Sequence, residues 1–165
     1  MAGLSITLQG FDQLERAFSQ APQVVGEELG IFMHGLVAHL EAEVKDCTPA
    51  AHGLLRASIV GRANSVGRAM NTHVLGIVGS ANAYVVPVEL GTKPHMPPVL
   101  AIEDWVKVKL GLTGKEARSA AWGIARKIAK KGTKGAFMFR DAFEENAAEV
   151  QHQFDQTISR ILARI

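Results

Sequence analysis

An α+β fold follows from a change of hydrophobic period along the chain. Near both ends, apolar residues recur every three or four positions, as on one face of an amphipathic helix. From Leu54 to Val60 the period changes to two, that of a strand with one buried face, and two further strand-like runs follow before residue 90. Glycines and prolines fall where the period changes, as turns require. The sequence thus predicts an antiparallel sheet of about three to four strands packed against long N-terminal and C-terminal helices, with an inserted helical pair near 98–131.

Leu4, Ile6 and Leu8 alternate with Ser5 and Thr7 and predict a short strand that Gly10 ends. Phe11, Leu14 and Phe18 begin a helical spacing. Pro22 suits the first turn of a second, longer helix, where its missing N–H costs nothing. Val25, Leu29, Phe32, Leu36, Leu40 and Val44 form the stripe of that helix, and Pro49 and Gly53 stop it. Gly26, Gly30 and Gly35 each weaken it by roughly 1 kcal/mol relative to Ala, which packing along the stripe overrides.

From Leu54 to Val60 the period becomes two, with Leu55, Ala57 and Ile59 on one side and Arg56 and Ser58 on the other. Residues 61–72 are polar and glycine-rich and read as a mobile loop or hairpin tip carrying Arg62 and Arg68. His73–Val78 and Tyr84–Leu90 supply two further strands, and Pro87 makes the second an edge or a bulged strand. Lys93–Pro98 is an extended, proline-rich connector.

Ile102, Trp105, Val106 and Val108 then mark a short helix that Gly111 and Gly114 break. Thr113 and Glu116 are spaced as a capping box, so a new helix begins near Gly114. Its inner stripe is Ala117, Ala121, Ile124 and Ile128, and Gly132 and Gly135 frame its end. The last helix carries Phe139, Phe143, Ala147, Val150, Phe154, Ile158, Ile161 and Ile165 at steps of three or four.

At 165 residues the chain fits one domain, 1–165, with a sizeable core. A hydrophobic content of 47% and a charged content of 21% argue against disorder. The single cysteine, Cys47, excludes an internal disulfide framework, points to synthesis in a reducing compartment, and reads as a small buried hydrophobe. No apolar run reaches the ~18 residues of a membrane span. The N-terminus lacks a basic segment leading into a long apolar one. The expectation is a protein made in the cytosol, with no membrane contact.

The net charge of +2 conceals an asymmetry. Residues 1–106 carry six Lys/Arg against ten Asp/Glu, and residues 135–165 three against five. Residues 107–134 carry nine against Glu116 alone. Such density attracts polyanions or an acidic protein face, although a solvated helix face that aids solubility has the same composition. The candidate basic face is Arg118, Arg126, Lys127, Lys130, Lys131 and Lys134. A non-specific nucleic-acid-binding module using 107–134 is therefore an alternative function. Stacking on single strands needs exposed aromatics among the cations. Trp105 and Trp122 fall near the apolar sides of their helices, which points instead to core packing.

No residue set supports catalysis. His34 and His39 are five apart, so on a helix their side chains diverge by about 140°. A helical metal pair wants a spacing of four. His52, His73, His95 and His152 lie in separate elements, and His95, between Pro94 and Met96, reads as a contact residue. Ser80 lacks the flanking glycines of a nucleophile elbow. Gly132 and Gly135 do not form a phosphate loop with Lys134. Glu27/Glu28, Glu103/Asp104 and Glu144/Glu145 are adjacent pairs that point about 100° apart on a helix. We expect no enzyme, no cofactor and no metal.

Three runs in order carry a resemblance. Thr48-Pro49, followed by Gly53-Leu54-Leu55-Arg56-Ala57-Ser58-Ile59, resembles the Thr-Pro-x-x-x-Gly-x-Leu-Arg-x-Ser-Ile run of the tail-completion (neck, head–tail joining) proteins of long-tailed bacteriophages. Tyr84, leading to Val88-Glu89-Leu90-Gly91-Thr92, resembles their Tyr-Ala-x-x-Val-Glu-x-Gly-Thr run. Phe137-Met138-Phe139-Arg140-Asp141-Ala142-Phe143 resembles their closing Pro-Phe-Met-Arg-Pro-Ala segment. His52, Ala136 and Asp141 depart from the pattern, and residues 98–132 look like an insertion relative to the shortest members.

The resemblance implies a structural virion protein. The implied role is that of a ring-forming subunit, of a hexamer, that joins the head connector or stopper to the tail terminator or tail tube around the DNA conduit. Its implied partners are its own copies, adjacent neck and tail proteins and, transiently, phage DNA. The candidate interface residues are Arg56, Ser58, Glu89, Gly91, Thr92, His95, Arg62 and Arg68. Arg56 and Glu89 are expected to pair, within or between subunits, and Gly91 to end its strand sharply. The basic helix faces either passing DNA or an acidic neighbouring ring. A conduit that gripped DNA would slow its passage, which favours the protein face.

Overall fold

The computed structural model describes residues 11–49, 53–66 and 73–165. The expected strand at Leu4–Leu8, His52, Arg68 and the polar segment 67–72 lie outside the described residues, as do the side chains of Phe11, Leu14 and Phe18. The protein is mixed helix and sheet, and mostly helical. In chain order the elements are α1 (Phe11–Cys47), α2 (Leu54–Ala57), β1 (Ile59–Val66), β2 (His73–Ser80) and α3 (Val85–Leu90), then β3 (Gly91–Thr92), α4 (Val99–Leu110), α5 (Gly114–Lys131), β4 (Thr133–Lys134) and α6 (Met138–Arg164). β1 pairs with β2, and β3 pairs antiparallel with β4, Gly91 opposite Lys134 and Thr92 opposite Thr133. Among the described residues these two short ladders replace the single sheet of three to four strands that the sequence predicts.

Two predicted strands are helical. At residues 54–57 the chain makes one helical turn, with Ala57 N–H bonded to Gly53 C=O at 2.8 Å, and the strand starts only at Ile59. Residues four apart share a side under either period, so Leu55 and Ile59 face one core whichever conformation links them. Tyr84–Leu90 is the second case. The Asn82 side chain accepts the Tyr84 N–H at 2.9 Å and its carbonyl accepts the Val85 N–H at 3.0 Å, a turn that launches α3. Pro87 then falls in the first turn, where amides have no helical partner, so its ring is tolerated. β1 in turn extends through residues 61–66, which the polarity of the sequence assigns to a loop. Pro22 lies inside the continuous α1 rather than at the start of a second helix.

The chain divides into two compact units, Met1–Ala38 with Arg62–Ile77 and Ala147–Ile165, and His39–Gly61 with Val78–Asn146. In the first unit, Val24 and Val37 of α1 and Thr157 and Ile161 of α6 are buried. The Phe32 and Phe154 rings meet at 5.6 Å. Glu28, nearly buried, receives Arg164 at 2.6 Å and Arg160 at 3.1 Å, and Arg164 also reaches Glu27 at 3.1 Å. Hydrogen bonds from Arg164 and then Arg160 hold the Glu28 carboxyl below its ordinary 4.5. A Cβ on Gly76 would stand 2.5 Å from Met33 Sδ and Val37 Cγ2, so bare backbone is what lets β2 lie on α1.

The buried faces of both long helices match the expected stripes only in part, at Leu40, Val44 and Ile161. On α1 the buried positions are Val24, Glu28, Val37, Leu40 and Val44. On α6 they are Met138, Ala142, Thr157 and Ile161, while Phe143, Phe154 and Ile158 stay partly in solvent. Small and self-satisfied polar side chains line the inner side of α6. Asn146 donates to Ala142 C=O at 2.8 Å, and Thr157 donates to Gln153 C=O at 2.9 Å.

In the second unit, Val44, Ile59, Met138 and Ala142 form a buried cluster against which Leu55, Val78, Val85, Val88 and Phe139 pack. His39 Nε2 lies 2.7 Å from Asn146 Oδ1 and ties α1 to α6 there. α4 and α5 pack together as the expected helical pair, and their buried residues are Val106, Ala117, Ala121 and Ala125. Thr113 occupies the N-cap position of α5, though its side chain makes no cap hydrogen bond.

Candidate functional site: the junction of the three runs

The three runs that carry the resemblance meet in the second unit. The first enters through Thr48, whose buried hydroxyl donates to Val44 C=O at 2.5 Å and sits 3.2 Å from Met138 Sδ of the third run. Leu55 and Ile59 of the first run, Val85 and Val88 of the second, and Met138, Phe139 and Ala142 of the third share one cluster. Runs far apart in sequence are thus neighbours in one core, a long-range packing that local spacing does not encode.

Two helix ends are joined at the same place. The last carbonyls of α3 have no acceptor role inside the helix, and they receive the Ala136 N–H (to Val88, 2.8 Å) and the Phe137 N–H (to Glu89, 3.1 Å). The first amides of α6 are equally unpartnered, and the Glu89 carboxylate accepts them from Phe139 at 3.0 Å and Arg140 at 3.2 Å. A carboxylate there also complements the positive end of the α6 dipole. The Arg140 guanidinium lies 3.9 Å above the Phe137 ring and bonds Asp141 at 2.7 Å.

Within the chain, the expected Arg56–Glu89 pair does not form. Glu89 is the cap of α6, and Arg56 pairs with Asp46 of α1 on an exposed edge. Ser58 turns inward, donating to Leu55 C=O at 2.7 Å and lying 2.7 Å from Ser80 Oγ. Thr92 Oγ1 sits 2.9 Å from Thr133 Oγ1 across the β3–β4 ladder. Gly91 has φ 78° and ψ −177°, a conformation for glycine, and a Cβ on it would stand 2.7 Å from Gly135 N. It does end its element sharply, though that element is a helix. His95 is exposed on the connector, its Nδ1 3.0 Å from Lys93 C=O. Arg62 is exposed on β1 and belongs to the first unit.

Other expectations fall differently. Cys47 is exposed rather than buried. Local desolvation, with Glu145, Glu43, Asp141 and Asp46 around it, raises its thiol pKa, which keeps it protonated and weakly nucleophilic. Trp105 and Trp122 are 41% and 42% exposed, so neither is a core residue. All six candidate basic residues, Arg118, Arg126, Lys127, Lys130, Lys131 and Lys134, are exposed. Among the described residues no group of three or more His, Cys, Asp or Glu is placed to hold a metal ion, and no helix is long and apolar enough to cross a membrane.

Sequence reasoning missed the apolar rim of this unit. Leu54 (73% exposed) and Tyr84 (72%) line one open groove with Trp105, and Leu90 (66%) edges a second with Val86 and Phe139. Read as a strand, 54–60 already sets Leu54 on the side of Arg56; reading 84–90 as a strand hid the rest of the rim, since it is the helical α3 that leaves Tyr84, Val86 and Leu90 exposed. Asn82, which launches α3, was the available signal. Compared with family models, with curated proteins and with solved structures, the chain gives no match.

Proposed function

We propose that the chain is a structural assembly subunit, a tail-completion protein of a long-tailed bacteriophage. It closes with identical copies into a ring, a hexamer, between the head connector and the tail tube in the virion neck. The observation that carries assembly is the rim formed by Leu54, Tyr84, Val86 and Leu90 beside its two grooves. Single exposed apolar residues are ordinary, but large ones gathered about concave surface are what subunit contacts cover. Support for the phage assignment comes from the three runs, whose side chains share one core and one helix junction.

The test is the oligomeric state of the purified chain by light scattering, with negative-stain microscopy. Closed rings are expected, and Leu54→Lys with Tyr84→Lys should dissolve them while the circular dichroism of the fold persists. A chain that stays monomeric at every concentration and is missing from purified virions refutes the proposal.

A further inference from the structure

The outward face of α5 has a chemistry unlike the apolar rim. Arg118, Trp122, Arg126 and Lys130 follow one another at steps of four, and each is exposed. Such a step advances about 6 Å and turns only about 40°, so the four form one line along the solvent side of the helix. Beside that line, Lys127, Lys131 and Lys134 edge an open cleft with Ile124, Ile128 and Thr133. None of the six cations is in an ion pair among the described residues.

Two features separate this face from a protein-docking surface. Lysine is depleted in protein interfaces, whose centres are aromatic and apolar, yet the face carries four lysines to two arginines. The residues suited to protein contact, Leu54, Tyr84 and Leu90, lie on or beside α2 and α3 instead. Trp122 is 42% exposed, whereas the buried residues of α4 and α5 are Val106 and three alanines. An exposed indole with guanidinium groups four residues away on either side offers a π-face to a base and cations to its phosphates.

We infer that the α5–β4 face binds nucleic acid through the phosphate backbone without reading sequence, Trp122 adding a stacking contact where a base is unpaired. Contacts of this kind let a protein slide along the polymer, so such a face touches DNA without fixing it in place. The inference rests on α5 and β4 alone and holds whether or not the chain forms a ring. With three to five phosphates engaged, log affinity falls against log salt with a slope of about −2.7 to −4.5 on a duplex. Affinity should then drop by about 40- to 500-fold between roughly 50 and 200 mM salt.

Fluorescence anisotropy on the full chain tests this, with a labelled duplex, a labelled single strand and labelled polyglutamate as probes. The wild-type chain should bind both nucleic acids with that salt slope and polyglutamate far more weakly. Lys127→Glu, Lys131→Glu and Lys134→Glu together should cut affinity at least about tenfold and flatten the slope by about 3. The Gln version of the same triple, which adds no negative charge at a helix C-terminus, should move both readings the same way. Trp122→Ala should weaken the single strand about 5- to 100-fold and the duplex much less. Absence of salt-sensitive binding overturns the inference, as does a natively folded triple variant with unchanged affinity. Polyglutamate bound as tightly as DNA would assign the face to an acidic protein. Rings that form without binding DNA refute this inference alone, and a DNA-binding monomer refutes only the ring.

Discussion

Replacing Glu89 by Ala removes the carboxylate that accepts the Phe139 and Arg140 amides, the second and third residues of α6. Neither amide has another partner within the helix. Losing a helix cap costs about 0.5–2 kcal/mol, and an ionised acceptor puts the loss near the top of that range. Its interaction with the helix dipole adds about 0.3–1 kcal/mol. The sum is about 1.5–3 kcal/mol, or a fall in Tm of about 4–10 °C for a chain of this length. Glu89→Gln keeps the shape and one acceptor oxygen and should lose about half as much. Arg56→Ala, which breaks an exposed pair with Asp46, should stay within about 0.5 kcal/mol of wild type. Urea unfolding followed by far-ultraviolet circular dichroism reads all three. If Glu89→Ala unfolds at the wild-type midpoint but loses its oligomer, Glu89 serves a neighbouring subunit and the capping argument is wrong.

Two glycines should respond in opposite directions. Gly91→Ala forces a side chain into a conformation that only glycine adopts freely and against the β4 backbone, and should cost about 2–4 kcal/mol. Gly30→Ala, within α1 and with nothing within 4 Å of the added Cβ, should gain about 0.5–1 kcal/mol. Thermal melts that rank the two the other way would contradict these backbone assignments. For Glu28, whose folded pKa is depressed by Arg164 and Arg160, the stabilisation is complete above the ordinary value of 4.5 and is lost as the pH falls through the folded value. Urea midpoints should therefore decline below about pH 4.5, and Glu28→Gln should flatten that acid limb. Parallel limbs for the two proteins would show that the pair does not govern acid sensitivity.

The legible parts of the fold were those where one period persists and side chains of one type fill the face. α5 is the clearest case, because Ala117 and Ala121 are buried and Ile124 and Ile128 half-buried on the side their spacing predicts. The length of α6 was legible too, but the continuity of α1 through Pro22 was not, nor was every buried position on the two helices. Glu28 is buried because two arginines come from α6 to meet it, and Thr157 because its hydroxyl is satisfied within its own helix. The arginine partners of Glu28, 132 and 136 residues away, are not visible in local spacing. α2 and α3 were misread because valine and leucine at steps of four suit a helical turn and a strand alike, and the deciding contacts are made by Gly53 and Asn82. Of the candidate site, Glu89 and Gly91 were singled out from the sequence, and both have structural roles where α3 meets α6 and β4. The role of Glu89 was not, since its partners lie 50 and 51 residues away.

The second unit therefore carries two faces of opposite chemistry, and that separation is itself open to measurement. As proposed, the rim of Leu54, Tyr84 and Leu90 would gain by leaving water, whereas the lysines of α5 would gain by displacing counterions from a polyanion. If the two serve different partners, neutralising Lys127, Lys131 and Lys134 should leave ring formation intact while nucleic-acid affinity falls. Leu54→Lys with Tyr84→Lys should do the reverse for assembly. Each freed subunit would keep its own phosphate contacts, and binding would weaken only through the loss of linked sites. Light scattering and anisotropy on the same two preparations decide the matter. Should the lysine variant also lose its ring, the basic face is packed against a neighbouring subunit, and its charge is there to meet the acidic residues of another copy.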